Sequence, residues 1–359
     1  MKSFSIFILL VGAAFAETVG VSPQLDAIRQ QHALPALGAA AMREGELVAF
    51  GVSGTRQFGK PEVVKVDDLW HIGSCTKSMT ATLAGILVDE GTARWDMKIT
   101  DALPELRATL HADWREATLE QLLTHRSGAP HQPQAEAWSL AWQRRGSEQL
   151  QRMEMVRSLV VRRTEAPVGT KFIYSNRGYT IAGAMLEKLA RKPYAELLRA
   201  KVFAPLGMKS CGVGGPGENQ PRGHTAALGS FKPVAPDADN PPAITPAGRV
   251  HCSLADFVRF ASWHARGPLH DVKLMSDATF QKLHTRPAGQ SYAMGWVVTD
   301  RPWADGEALT HNGSNTMWHA VMWIAPAKQT AFVAVTNCAG DVAQMACDEA
   351  VSTLIRAGH

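Results

Sequence analysis

A serine and a lysine three residues apart, at the start of an apolar helix, are the first sign of chemistry in this chain. Gly73 precedes Ser74-Cys75-Thr76-Lys77, and Met79, Leu83, Ile86 and Leu87 follow at helical spacing. Three residues are almost one turn, so Lys77 projects from the same face as Ser74, and the helix amino terminus favours its neutral form. A neutral lysine in a desolvated cleft can take the serine proton and turn a weak hydroxyl into a nucleophile. By itself the pair is weak: chance makes about one S-x-x-K in a chain this long. A helix-capping serine followed by an unrelated surface lysine is then the commoner reading.

Two further groupings could complete such a site. Tyr174-Ser175-Asn176 lies between the turn Pro167-Val168-Gly169-Thr170 and a helix expected from Thr180. Alternate residues of an extended loop point the same way, so the phenol and the amide can face one site. Tyr174 could relay a proton, and Asn176 could donate to a substrate carbonyl. A packed tyrosine with a capping asparagine is the plain alternative. Thr310-His311-Asn312-Gly313-Ser314 precedes a strand at Ala320. Here glycine would let a substrate backbone approach, and the Ser314 amide could face an oxyanion. A simple hairpin fits it as well.

The elements that must hold these residues form a helical middle between sheet-like ends. Ala36 to Met42 and Leu47 to Val52 read as a hairpin around Arg43-Glu44-Gly45-Glu46. Ala320 to Ile324 and Thr330 to Thr336 form a second strand pair, and a helix from Val342 to Ile355 closes the chain. Helical patterns run over Thr76 to Glu90, Leu119 to Leu123, Ser147 to Val161 and Thr180 to Ala190. Gly212 to Gly248 is rich in Gly and Pro and is expected to be a long surface excursion. The fold class is therefore α+β, with an antiparallel sheet from both chain ends, flanking helices and an inserted, mostly helical lobe. The expected division is residues 17–73 and 245–359 for the sheet domain and 74–244 for the lobe, with the site in the cleft between them.

Composition narrows the partners. A chain of 359 residues with 45% hydrophobic and 19% charged residues has material for a large core. The 37 basic and 33 acidic residues are intermixed, giving a formal charge of +4 and no basic run to track a phosphate backbone, so no nucleic acid is expected. Lys2, the apolar stretch Ile6 to Phe15 and Ala14-Phe15-Ala16 read as a signal peptide over residues 1–16, cleaved before Glu17. The stretch is short of the ~20 residues that span a bilayer. An exported protein, periplasmic or secreted, with no stable membrane insertion after signal removal is expected. The five cysteines are an odd set without zinc-ligand spacing, so at least one remains free and no metal is expected.

Together the three groupings resemble the serine β-lactamase and penicillin-binding protein superfamily: Ser-x-x-Lys, Tyr-x-Asn about a hundred residues later, then Lys-or-His-x-Gly before a late strand. Leu69-Trp70-His71-Ile72-Gly73, Leu122-Leu123-Thr124-His125-Arg126-Ser127-Gly128, Pro205-Leu206-Gly207-Met208 and Ser253-Leu254-Ala255-Asp256 resemble its class C branch. The resemblance implies Ser74 as the acylated nucleophile, Lys77 as its proton partner and Tyr174 as the group that protonates the leaving group and activates water. It implies substrate binding by Asn176, His311, Asn312, Gly313 and Ser314, an oxyanion hole from the Ser74 and Ser314 amides, and no metal or organic cofactor.

Two positions depart from class C β-lactamases. His311 and Asn312 stand where those enzymes usually carry Lys and Thr, and an imidazole only partly charged near neutral pH holds a carboxylate less well than an ammonium. Arg249 follows Gly248 where relatives often have a second glycine. A serine hydrolase of small esters or amides, esterase or D-amino-acid peptidase in type, is the leading expectation. A β-lactamase or DD-carboxypeptidase and a non-catalytic binding member are the alternatives.

Overall fold

Glu44 and Gly45, both with positive φ (53° and 89°), turn the chain between the strands Ala36–Arg43 and Glu46–Gly54, a geometry that matches the natural twist of a hairpin. The computed structural model describes residues 18–132, 135–227 and 230–359; the expected signal peptide lies outside the described residues. The hairpin sits inside a seven-stranded sheet ordered Val19–Gly20, Glu46–Gly54, Ala36–Arg43, Thr330–Thr336, His319–Ala325, Gly306–Ser314, Val297–Arg301. Both chain ends supply it, as expected. The pairing is antiparallel throughout except at the edge, where Val19–Gly20 runs parallel to Glu46–Gly54, so the sheet is mixed rather than wholly antiparallel.

Alternation along the strands divides the core in two. Ala40, Val333 and Val335 face one layer, in which the helix Leu254–Arg266 buries Leu254, Phe257 and Phe260. Ala39, Ala41, Phe332 and Ala334 face the other, where the helix Asp341–Arg356 buries Ala343, Ala346 and Ala350. Both faces are covered, so the run Ala36–Ala41 is buried throughout, and all of its side chains but Leu37 are small, which lets the helices approach closely.

The helix Thr76–Asp89 is buried on every side from Thr76 to Leu87, which fits its place at the centre of the larger core. Beside it lies the helix Asn176–Ala190. Three expectations need correction. That helix begins at Asn176, four residues before Thr180, because Ser175 caps it: its Oγ accepts from the N–H of Arg177 and Gly178 at 3.1 and 3.3 Å. Thr310 to Ser314 does not only precede the next strand but is itself the end of the strand Gly306–Ser314, paired with His319–Ala325. Finally, the segment from Gly212 is not all surface. Gly212–Val213 pairs with Val250–Ser253, which also pairs with Leu69–His71, and Asp239 is 2% exposed. No helix among the described residues is long and apolar enough to cross a membrane, and the five cysteines are unbonded.

Candidate active site

The strand Leu69–His71 delivers the chain into a short 3-10 turn, Gly73–Cys75, that runs straight into the helix Thr76–Asp89. Gly73 has φ 50°, and a Cβ there would overlap the backbone of Gly313 and Ser314. Only glycine allows that approach. The turn is fixed by Thr76, whose Oγ1 donates to the Gly73 carbonyl (2.7 Å) and accepts from the Val250 N–H (3.1 Å). Ser74 is left half-buried at the cleft.

Lys77 is fully buried, and its Nζ lies 3.0 Å from Ser74 Oγ, 2.7 Å from Asn176 Oδ1 and 2.7 Å from the Ala247 carbonyl. Burial holds its pKa well below that of an ordinary lysine. Desolvation, rather than the helix dipole, is the main cause. A neutral amine has two N–H bonds and one lone pair. The two carbonyl oxygens can only accept, so they take both N–H bonds, and the lone pair faces Ser74.

The Tyr174 ring lies 4.7 Å from Lys77 Nζ. Burial raises the phenol pKa, against the lowering effect of its hydrogen bond to Ser74. The resting tyrosine is therefore a neutral phenol. His125 pins both its neighbours, its carbonyl accepting from Ile173 N–H (2.8 Å) and its Nδ1 from Ser175 N–H (3.0 Å). The His125 and Tyr174 rings are 4.4 Å apart, and Tyr292 packs on His125 at 4.8 Å. Asn176, one residue after the cap Ser175, opens the helix with its amide oxygen on Lys77.

Strand alternation sorts the third grouping. Gly313 faces the Ser74 turn, where a Cβ would sit 2.9 Å from Ser74 N and overlap the Ile72 carbonyl. His311 shares that face and Asn312 takes the other. His311 Nδ1 lies 2.6 Å from the Asn312 carbonyl and Nε2 lies 2.9 Å from the Tyr292 hydroxyl. A carbonyl only accepts, so the proton sits on Nδ1 and Tyr292 donates to Nε2. Burial, opposed by the Asn312 carbonyl, lowers the His311 pKa to about 3. The ring is neutral across the physiological range, which corrects the expectation of a partial charge. His311 and Asn312 border an open pocket of about 570 Å³, whose walls include Phe172, Tyr292, Trp323 and Asp348.

Of the expected site residues, Lys77, Tyr174, Asn176, Gly313 and the Ser314 backbone gather about the Ser74 turn, and His311 and Asn312 border the adjoining pocket. Arg249 turns away into an ion pair with Asp239, its Nε 3.0 Å from Oδ2. Tyr292, Ala247 and Asp239 were not singled out from the sequence. Tyr292 lies in a loop without periodicity and Ala247 acts through its backbone, so neither left a signal; His125 was visible only inside a longer matching stretch. Among the described residues, no three His, Cys, Asp or Glu side chains gather as a metal cage.

A family model described as Beta-lactamase matches residues 22–352, and the chain belongs to that family. It is a serine hydrolase with the α+β fold of β-lactamases and DD-peptidases. Penicillin-binding protein 4 of Amycolatopsis lactamdurans is 28% identical over 330 residues, covering 88% of this chain and 84% of the relative. Esterase EstB of Burkholderia gladioli is 32% identical over 196 residues, about half of each chain (52% and 48%). The solved structure of D-alanine carboxypeptidase AmpC from Burkholderia cenocepacia superposes with a TM-score of 0.74 at 19% identity, covering 93% of this chain and 97% of that one.

Proposed function

We propose that this hydrolase works through an acyl-enzyme on Ser74 and acts on small esters or amides with no carboxylate beside the scissile bond. The observation that carries this is the fully buried Lys77, its pKa pushed well down by desolvation, with Nζ 3.0 Å from Ser74 Oγ. Ser74 gives its proton to Lys77 as Oγ attacks the substrate carbonyl carbon. The tetrahedral oxyanion is held by the amides of Ser74 and Ser314, and Asn176 orients the acyl group. Tyr174 protonates the leaving group, which departs. That leaves a phenolate beside the Lys77 ammonium, a pair that stabilises both charges. In deacylation the phenolate takes a proton from water, the hydroxide attacks the acyl carbon, and Ser74 Oγ leaves with the proton held on Lys77. Each group ends as it began.

The neutral His311 and the aromatic walls of the adjoining pocket favour uncharged leaving groups, and EstB is a relative described as an esterase. A β-lactamase or DD-carboxypeptidase is the second reading, favoured by relatives described as penicillin-binding protein and D-alanine carboxypeptidase. A non-catalytic scaffold has no reason to keep Ser74, Lys77 and Tyr174 in contact. We also propose that the protein is exported after removal of residues 1–16 and meets its substrate outside the cytoplasm. The test of the mechanism is intact mass spectrometry after reaction with a fluorophosphonate or a penicillin. One adduct on the Ser74 peptide, absent in Ser74→Ala, is expected; undiminished ester turnover in Ser74→Ala rejects the mechanism.

A further inference from the structure

Behind the nucleophile, one buried carboxylate contacts three segments of chain that are far apart in sequence. Asp239 is 2% exposed, although it comes from the Gly- and Pro-rich stretch between the two halves of the sheet. Its Oδ1 lies 3.0 Å from His71 Nε2 and accepts from Asn315 Nδ2 (3.1 Å) and the Asn240 N–H (2.8 Å). Its Oδ2 accepts from Arg249 Nε at 3.0 Å. Arg249 is fixed in turn by Thr245 Oγ1 at 2.9 Å and Glu148 Oε1 at 3.3 Å.

Each of the three partners adjoins one working part of the site. His71 accepts the Gly73 N–H on Nδ1 at 3.1 Å, so its proton is on Nε2, which lies 3.0 Å from Asp239 Oδ1. It therefore governs the left-handed turn that carries Ser74. Asn315 directly follows Ser314, whose amide would face the oxyanion. Arg249 lies two residues after Ala247, whose carbonyl takes an N–H of Lys77. Burial alone would raise the Asp239 pKa, but His71, Arg249 and Asn315 outweigh it and the carboxyl is held below the ordinary range. The charge is thus present to hold all three.

We propose that Asp239 is a positioning residue for acylation: its carboxylate sets, at once, the turn bearing Ser74, the strand end bearing the Ser314 amide and the carbonyl that orients Lys77. This rests on Ser74 being the nucleophile. Asp239 touches no reacting atom and acts through the three segments. The oxyanion donors and the attacking oxygen must agree in position, and misplacement by about 1 Å costs about 10²-fold in rate. Substrate affinity, set by the pocket beyond His311, is not its concern.

Asp239→Asn keeps the shape and removes one acceptor. The amide oxygen can replace Oδ1 for His71, Asn315 and Asn240, but its NH2 then meets the Arg249 Nε–H, donor against donor. Kinetics of a p-nitrophenyl ester and the rate of fluorophosphonate labelling at Ser74 are measured well below the melting temperature, with active-site titration of the reactive fraction. The expected result is a fall in kcat per active site and in labelling rate of about 10²-fold, with KM within about twofold. A purely structural role would lower the melting temperature and the titratable fraction and leave kcat per active site unchanged. Asn315→Ala, which removes one bond to Asp239, should lower kcat about tenfold with KM held, and it decides the matter if Asp239→Asn does not fold. Undiminished kcat per site in either folded variant, with the wild type labelled at Ser74, overturns this proposal alone. A wild type that is not labelled at Ser74 overturns the reading of the nucleophile and this proposal with it.

Discussion

Replacing His311 by lysine tests whether the end of the strand Gly306–Ser314 selects the substrate. The wild-type ring is neutral, with a pKa lowered to about 3, and its two nitrogens are committed to Asn312 and Tyr292. It offers a carboxylate neither charge nor a free donor. A lysine ammonium would reach into the open pocket of about 570 Å³ that Tyr174 and His311 line. Opposite charges 4 Å apart attract by about 1 kcal/mol in a water-like medium and about 4 kcal/mol at intermediate dielectric. The pocket is open, so the lower figure applies, which is also the scale of a solvated ion pair. The kcat/KM ratio of a chromogenic cephalosporin to a p-nitrophenyl ester should therefore rise about fivefold in His311→Lys. The sign of the pH dependence follows from the same pKa. His311 gains its proton only as pH falls toward about 3, so the wild-type ratio should stay flat between about pH 5.5 and 8. Absolute rates fall toward acid as Lys77 takes a proton, but that affects both substrates alike. An unchanged ratio in the lysine variant, or a wild-type ratio that climbs steeply between pH 8 and 5.5, would refute the assignment of specificity to this residue.

Tyr174→Phe should still release one equivalent of p-nitrophenol in a stopped-flow burst, because that leaving group needs little protonation, while steady-state turnover falls by about 10²-fold or more for want of a base in deacylation; loss of the burst together with turnover speaks against the division of roles. Ser175→Ala removes the cap that starts the helix at Asn176 and should cost about 1 kcal/mol in denaturant unfolding; an unchanged midpoint would mean that the cap does not hold this helix. Amino-terminal sequencing of exported material should begin at or near Glu17, and recovery of the protein only in the cytoplasm with Met1 intact would end the export proposal.

Local geometry carried most of what could be foreseen. Ser74 and Lys77 are three apart on one helix, so their contact follows from helical pitch alone, and the hairpins were marked by Gly45 and by Pro326. What escaped depended on contacts across long stretches of chain. Asp239 lies among prolines and glycines in a segment without periodicity, and nothing local shows that its carboxylate is buried against residues 71, 249 and 315. The start of the helix at Asn176 was hidden by the poor helix formers Asn176 and Gly178 in sequence, which the Ser175 cap overrides. Likewise Asn312 and Gly313 have low strand propensity, and only pairing with Val321 and Ala320 makes them a strand. The charge state of His311 could not be read at all, since residue type fixes an ordinary pKa but not the burial that displaces it.

The contact between Gly73 and Gly313 divides the site into what can vary and what cannot. Two backbones meet there with no room for even a methyl group on either side. Neither position can drift to another residue without parting the turn from the strand, so the geometry of charge stabilisation is inherited unaltered. One and two residues back along the same strand, positions 312 and 311 border the open pocket and can exchange side chains without disturbing that contact. A lineage built this way can change the molecules it accepts by altering side chains alone while its catalytic apparatus stays fixed, and laboratory evolution of this enzyme should find its new specificities at 311 and 312 and none at 73 or 313.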